Sequence, residues 1–386
     1  MTSGTADKAE LLNAVRQMRG VLTAQIADEE RAGKLSCVTH DALYESGVLR
    51  MKLPRELGGY EADLPTQFEV LEALAMFHPA AAWCAMVGTT SIGMPGAFLS
   101  EAGAEKVFGD GIPRGAILIM PTGTGVPTDK GFRLNGRWAF ASGIHHADWV
   151  AAQAMVETGA GDKAVHMFVL PAGAVTIHDN WQVMGLRSTG SCDISVEDVF
   201  VPADCVWNVE TQQPRRGGPL YRLGIPAFVA YEHAAFAIGV ARGVLDDLRQ
   251  RVGERSRGYG PNKKSLSQRE IFQHYIGHAE LKVRAARSQA LEFNADAMAA
   301  VASGNAVSTT LALDLRANAA YCTEVAVDVV RQAFRFAGGR ALHETDSIQR
   351  CLRDLEAAAQ HLMVSETAFG LRGRVLLGDD SVMPMG

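Results

Sequence analysis

The chain has 386 residues, 47% of them hydrophobic, which is enough for a large core shared among two or three domains. Charged residues make up 21% and the net charge is −6, with no basic block or stripe, so nucleic acid is not an expected partner. No uninterrupted apolar run approaches the ~20 residues of a membrane span, and the polar start Met1–Lys8 is not a secretory signal.

The six cysteines (Cys37, Cys84, Cys192, Cys205, Cys322, Cys351) are scattered and form no CxxC, so they read as reduced thiols in a cytoplasmic protein without a zinc site. Residues 6–33 read as a helix, with Leu11, Leu12, Val15, Met18, Leu22 and Ile26 recurring at three or four residues. His40 to Gly47 is a short helix closed by its glycine. Leu64 to Met76 is an amphipathic helix, and Ala80 to Met94 is a very apolar one that Pro95 should end. Ala102 to Phe108 completes an all-α first domain, 1–112.

The character changes near Ile112-Pro113. Ala116 to Pro121 reads as a buried strand and Thr122 to Gly125 as a glycine-rich turn. In Gly131-Phe-Arg-Leu-Asn-Gly136 the Asn-Gly pair signals a hairpin, because both residues tolerate positive φ. Trp138, Phe140 and Ser142 alternate with Ala139, Ala141 and Gly143, and a period of two puts the first three on one face. Such a face suits a flat aromatic cofactor as well as an ordinary core. Further strands follow at Trp149 to Val156, Ala164 to Leu170 and Asp193 to Pro202. Residues 113–216 are therefore an antiparallel barrel or sandwich. After a linker at Thr211 to Gly218, runs at 226–252, 266–303, 306–337 and 346–375 predict a four-helix bundle in a third domain, 217–386.

The class is thus α+β, mostly α. This order of domains resembles the acyl-CoA dehydrogenase fold. Three motif sets narrow the resemblance: Gly136-Arg-Trp-x-Phe-x-Ser-Gly143 followed by Ala147-Asp-Trp149; Gly185-Leu-Arg-x-Thr-Gly-Ser191 followed by Val196 to Pro202; and Gln349-Arg-x-x-Arg-Asp-x-x-x-Ala-x-Gln-His361. Together they resemble the two-component (group D) flavin-dependent monooxygenases built on that fold, across essentially the whole chain. A glutamate base like that of the medium-chain dehydrogenases would fall near Leu362, where no carboxylate stands.

The resemblance implies an oxygenase component that takes reduced FMN or FAD from a separate NAD(P)H-dependent flavin reductase. It then reacts with O₂ through a flavin C4a-hydroperoxide and hydroxylates a small aromatic or heteroaromatic substrate such as a phenol or indole. No GxGxxG follows a strand, so a nicotinamide site within this chain is not expected. An N-oxygenase of an amino sugar or amine, an acyl-CoA dehydrogenase and a flavin-free scaffold are the alternatives.

In the family's terms His361 and Ser142 are the catalytic candidates. The imidazole would hydrogen-bond the hydroperoxide or take the substrate proton, and the hydroxyl would sit at the N5 and C4a edge of the flavin. Thr122, Thr124, Trp138, Phe140, Thr189 and Ser191 are implied flavin neighbours. Arg257, Gln273 and Arg335 fall where the family grips the cofactor or feeds a loop to a neighbouring subunit, which implies a homotetramer. Arg257-Gly-Tyr-Gly-Pro departs from the family's usual stretch and leaves FMN against FAD open. Trp83 and Met86 read as core or as the wall of a broad apolar pocket. His145 and His146 line that pocket or cap a turn, and two adjacent histidines with no third ligand do not make a metal site.

Overall fold

The structure is a computed structural model that describes residues 8–157, 161–252, 256–257 and 264–385. The chain gathers into two compact units, Met1–Asp63 with Trp83–Val183 and Arg187–Arg222, and Leu64–Ala82 with Met184–Leu186 and Leu223–Gly386.

In the first unit, α1 (Lys8–Ala32) buries the predicted stripe Leu11, Val15, Met18, Leu22 and Ile26. Helix α2 (Cys37–Glu45) starts at Ser36, whose hydroxyl accepts the Thr39 N–H at 3.1 Å. Helix α3 (Leu64–Ala75) belongs to the second unit. Helix α4 (Pro79–Phe98) does not end at Pro95 as expected but runs through it. The proline removes one helical bond, yet nearly every side chain from 79 to 97 is buried, and packing outweighs that loss. Helix α5 is Glu101–Phe108.

The β-strands form one seven-stranded sheet: β1 (Gly115–Thr128), β2 (Gly131–Ala141), β3 (Trp149–Glu157), β4 (Lys163–Pro171), β5 (Thr176–His178), β6 (Cys192–Pro202) and β7 (Val206–Asn208), in the order β5-β6-β2-β1-β3-β4-β7. Every neighbouring pair is antiparallel except β1 and β3, which run parallel.

Thr122 to Gly125 is not a turn but the middle of β1, and Asn135-Gly136 lies inside β2 rather than at a hairpin tip. The glycines serve close approach instead. A Cβ on Gly123 would stand 2.2 Å from the Trp138 ring, and one on Gly136 would stand 2.6 Å from the Gly123 backbone. Asn135 accepts the Asp198 N–H at 2.8 Å, opposite a bulge in β6 where Asp198 takes φ 49°. The expected linker also carries structure: Arg216 is buried and donates to the carbonyls of Gly96 and Leu99 at 3.1 and 2.9 Å.

In the second unit α6 (Ala230–Val252), α7 (Glu270–Ala302), α8 (Thr309–Ala337), α9 (Ser347–Ala358) and α10 (Thr367–Leu376) form the helical bundle, with α8 against the other four. A two-residue pairing, Ser256–Arg257 (β8) with Lys264–Ser265 (β9), lies between α6 and α7. Glu72 of α3 is buried between Arg242 and Arg287, with contacts of 2.6 and 2.7 Å. The predicted fourth run is not one helix: it stops at Ala358, makes a short 3₁₀ turn at Leu362–Val364 and restarts at Thr367.

Candidate active site

Ser142 sits one residue past β2, and the strand's bulge puts it there. Trp138 pairs with Ile194 and Ala141 with Cys192, so β2 carries one extra residue at this point, and Phe140 adopts φ 69°. The alternation read from sequence therefore breaks: Trp138 is buried in the sheet's core with its indole N–H on the Gln153 carbonyl at 2.7 Å, while Phe140 is 70% exposed. Trp138 supports the site by packing under Gly123 and Gly136 and offers no open ring face. Phe140 does, and the ring of Trp181 meets it edge-on at 6.1 Å.

The buried hydroxyls of Ser142, Ser191 and Thr189 form a chain, with Ser142 to Ser191 at 2.7 Å and Ser191 to Thr189 at 2.6 Å. Trp83 donates its indole N–H to the Ser142 oxygen at 3.2 Å. Indole nitrogen can only donate, so the Ser142 oxygen accepts there and its own proton is directed elsewhere. Thr122 and Thr124 are exposed on β1, and the Thr122 hydroxyl is given to the Arg137 carbonyl at 2.7 Å. Met86 is buried on α4.

His145 and His146 part company. His145 is exposed and lines an open cleft of about 850 Å³ with Trp181, Ile177, Lys34, Asp179 and Arg187, a volume that suits a small molecule. Its Nε2 stands 3.5 Å from the Cys192 sulfur. His146 turns inward, gives Nε2–H to the Leu35 carbonyl at 2.9 Å and stacks on His40 at 4.5 Å. Burial lowers the pKa of all three, that of His40 to about 3.

In the second unit His361 is not on a helix with Leu355 and Ala358, as the sequence suggested. It is the residue before the 3₁₀ turn, in extended backbone, and its Nδ1 accepts the Met363 N–H at 3.2 Å. The ring of His233, from α6, lies 4.3 Å from it. Burial holds the His361 imidazole neutral, down to about 4. With Nδ1 used as an acceptor, the neutral ring carries its proton on Nε2, an assignment made from the hydrogen bonding. Asp354, two turns before, is buried and accepts the Leu186 N–H at 2.6 Å, so the Arg-Asp part of that motif holds the 184–186 segment.

The acyl-CoA dehydrogenase C-terminal domain family matches residues 231–366. Indole-3-acetate monooxygenase of Pseudomonas putida is 27% identical over 386 residues, covering 98% of this chain and 95% of its own. XiaF from Streptomyces, solved in complex with FADH2 and glycerol, superposes with a TM-score of 0.89 at 24% identity over 98% of this chain and 97% of its own. A pigment production hydroxylase of Rhodococcus erythropolis is 30% identical over 393 residues, covering 97% of this chain and 98% of that one. This chain belongs to the flavin-dependent monooxygenases of the acyl-CoA dehydrogenase fold.

As a flavin-dependent monooxygenase it is an oxygenase component that works with reduced flavin and O₂. The first unit holds groups of the kind such a cofactor needs: an exposed Phe140 ring on β2, Thr122 and Thr124 exposed on β1, and the hydrogen-bonded hydroxyls of Ser142, Ser191 and Thr189. The implied cofactor-gripping residues Arg257, Gln273 and Arg335 belong to the second unit. Gln273 is exposed near the start of α7 and donates to the Ser267 carbonyl at 2.9 Å. Arg335 is exposed in the last turn of α8. Arg257 pairs through its backbone with Lys264, and its side chain and the following 258–263 stretch lie outside the described residues.

Sequence reasoning missed His233 as the neighbour of His361, although a histidine beside Glu232 in the otherwise apolar start of α6 was a visible signal. It also missed Trp181, whose ring meets Phe140 from a segment without regular structure.

Proposed function

We propose that this oxygenase hydroxylates a ring carbon of a small phenol or indole, with reduced FMN or FAD delivered by a separate NAD(P)H-dependent reductase in the cytoplasm, and that it works as a homotetramer. The Trp83–Ser142–Ser191–Thr189 network carries the reading, because it restrains a buried hydroxyl two residues after the exposed Phe140. The aromatic substrate is supported by the name of the indole-3-acetate monooxygenase. The separate reductase is supported by the lack of a dinucleotide fingerprint in the sequence.

Bound reduced flavin supplies the two electrons that let one atom of O₂ enter the substrate while the other leaves as water. Ser142 would hold a polar edge of the flavin ring through Oγ, and Thr122, Thr124, Phe140, Thr189 and Ser191 would fix the ring's place. With cofactor and substrate bound, His361 would serve as a donor from Nε2–H at the place where oxygen is transferred. Its occupied Nδ1 argues against an initial role as base. Trp83 and His145 border the space for substrate.

Anaerobic titration with FMN and FAD, oxidised and reduced, tests the two-component reading. Reduced flavin should bind at least roughly tenfold tighter, a difference of about 1.4 kcal/mol, since the cofactor must leave once oxidised. Protein that purifies with stoichiometric FAD, reducible by an acyl-CoA thioester without O₂, would overturn it. Light scattering at four times the 41.4 kDa chain mass supports the tetramer; a fully active monomer removes it.

A further inference from the structure

Arg316 lies on α8 and is fully buried. Among the described residues no carboxylate faces it, and its Nε has no hydrogen-bond partner. What it touches is backbone: Nη1 donates to the Pro384 carbonyl at 2.9 Å and Nη2 to the Leu362 carbonyl at 3.4 Å. A buried cation satisfied only by carbonyl dipoles is a costly way to add stability, because its desolvation is not offset by an ion pair. An apolar side chain of similar volume would fill the space at lower cost. What the guanidinium adds is direction: a rigid fork that holds two separate pieces of chain at fixed distance.

Those two pieces matter unequally. Leu362 follows His361, and its carbonyl accepts the Ser365 N–H at 3.3 Å in the 3₁₀ turn whose N–H at Met363 fixes the imidazole through Nδ1. Pro384 ends a segment pinned by Val382, which is buried with Leu313 and Leu371, and by the Arg374–Asp379 pair at 2.6 Å. We propose that Arg316 is a positioning residue for His361: it grips the Leu362 carbonyl, uses the C-terminal segment as its second anchor, and so sets the direction of Nε2–H. With the His233 ring on one side and the Met363 N–H at Nδ1, this grip leaves the imidazole one orientation. The inference rests on the reading of His361 as the proton donor.

The test is the ring tautomer of His361, read by long-range ¹H–¹⁵N correlation on histidine-labelled protein, with the His361→Ala spectrum giving the assignment. Wild type should show a single Nε2–H tautomer. Arg316→Gln should move the tautomer ratio by roughly tenfold, the change expected when an ordering contact of hydrogen-bond strength is lost. Arg316→Lys, which keeps the charge but not the fork, should fall between and serves if the glutamine variant does not fold. Arg331→Met, which removes an exposed pair with Glu356 on the same helix, should leave the tautomer unchanged. An unaltered tautomer in a folded Arg316 variant overturns the proposal. Full oxygen transfer by His361→Ala would instead remove the functional reading of His361 while leaving the tautomer result standing.

Discussion

The indole nitrogen of Trp83 stands 3.2 Å from the hydroxyl oxygen of Ser142, and both groups are buried. The two residues lie 59 positions apart, one on α4 and one just past β2. Because indole can only donate, the Ser142 oxygen accepts at this contact, which restrains the hydroxyl while either Ser142 or Ser191 can donate to the other.

Ser142→Ala therefore removes the group that the account places at the polar edge of the flavin. Losing one hydrogen bond to a partly charged partner costs ~1.5–3 kcal/mol, so product formed per reduced flavin oxidised should fall at least roughly tenfold, with hydrogen peroxide making up the difference. Trp83→Phe keeps the hydroxyl but frees its orientation, and should lose only a few-fold. Unchanged peroxide yields in both variants would contradict the role given to this network.

His361→Ala should keep its fold and its affinity for reduced flavin yet lose oxygen transfer. Groups that give or take a proton in the reaction typically contribute ~10²–10⁴-fold, so product formation should fall at least to the lower end. Single-turnover mixing, with flavin oxidation and product followed separately, distinguishes this from a binding defect. A variant that binds flavin weakly but couples normally would make His361 a cofactor contact only.

The glycines of β1 and β2 make a stability prediction. A Cβ at Gly136 would meet the Gly123 backbone and the Trp138 ring within 2.8 Å, so Gly136→Ala must push strand or ring aside. Overpacking of this kind costs ~1–3 kcal/mol, and thermal melting should show it as a drop of several degrees. Gly173→Ala, where nothing lies within 4 Å of the added carbon, is the control and should change little.

The buried histidines set a pH dependence. Burial depresses His40 to about 3 and His361 to about 4, against an ordinary 6.5. The unfolded chain then binds more protons than the folded one between those values, so stability is full above pH 6.5 and is lost as the pH falls through that window. Between its folded and unfolded values such a histidine weakens the fold by about 1.4 kcal/mol per pH unit, and the window is shorter for His361, whose folded value is about 4. Denaturant melts at pH 7.5 and 5.0 should differ in midpoint, with the difference reduced in His40→Gln. Equal midpoints in wild type would refute the assignment.

Much of the fold was legible because burial imposes periodicity. The stripe from Leu11 to Ile26 marked α1, alternation marked β6, and apolar runs between turn residues marked β3 and β4. What was not legible depended on partners distant in sequence. Asn135-Gly136 carries a turn's local chemistry, but its glycine answers to Trp138 and Gly123 and its asparagine to Asp198. Pro95 ends a helix in isolation and not in one buried along nearly its whole length. Phe140 and Trp138 look equivalent in an alternating strand, and a bulge that exists only against β6 separates them. His361 was singled out by its motif, while the break that places it before a turn has neither glycine nor proline to announce it.

If this chain uses reduced flavin to insert one atom of O₂ into an aromatic ring, the oxygen gained by the product comes from O₂ and not from water. Mass spectrometry after single turnover with photoreduced FMN or FAD, a panel of phenols and indoles, and ¹⁸O₂ in unlabelled water tests it most directly. A hydroxylated ring product carrying one ¹⁸O atom is expected. Product oxygen drawn from water, or flavin oxidised wholly to hydrogen peroxide with every phenol and indole offered, would contradict it.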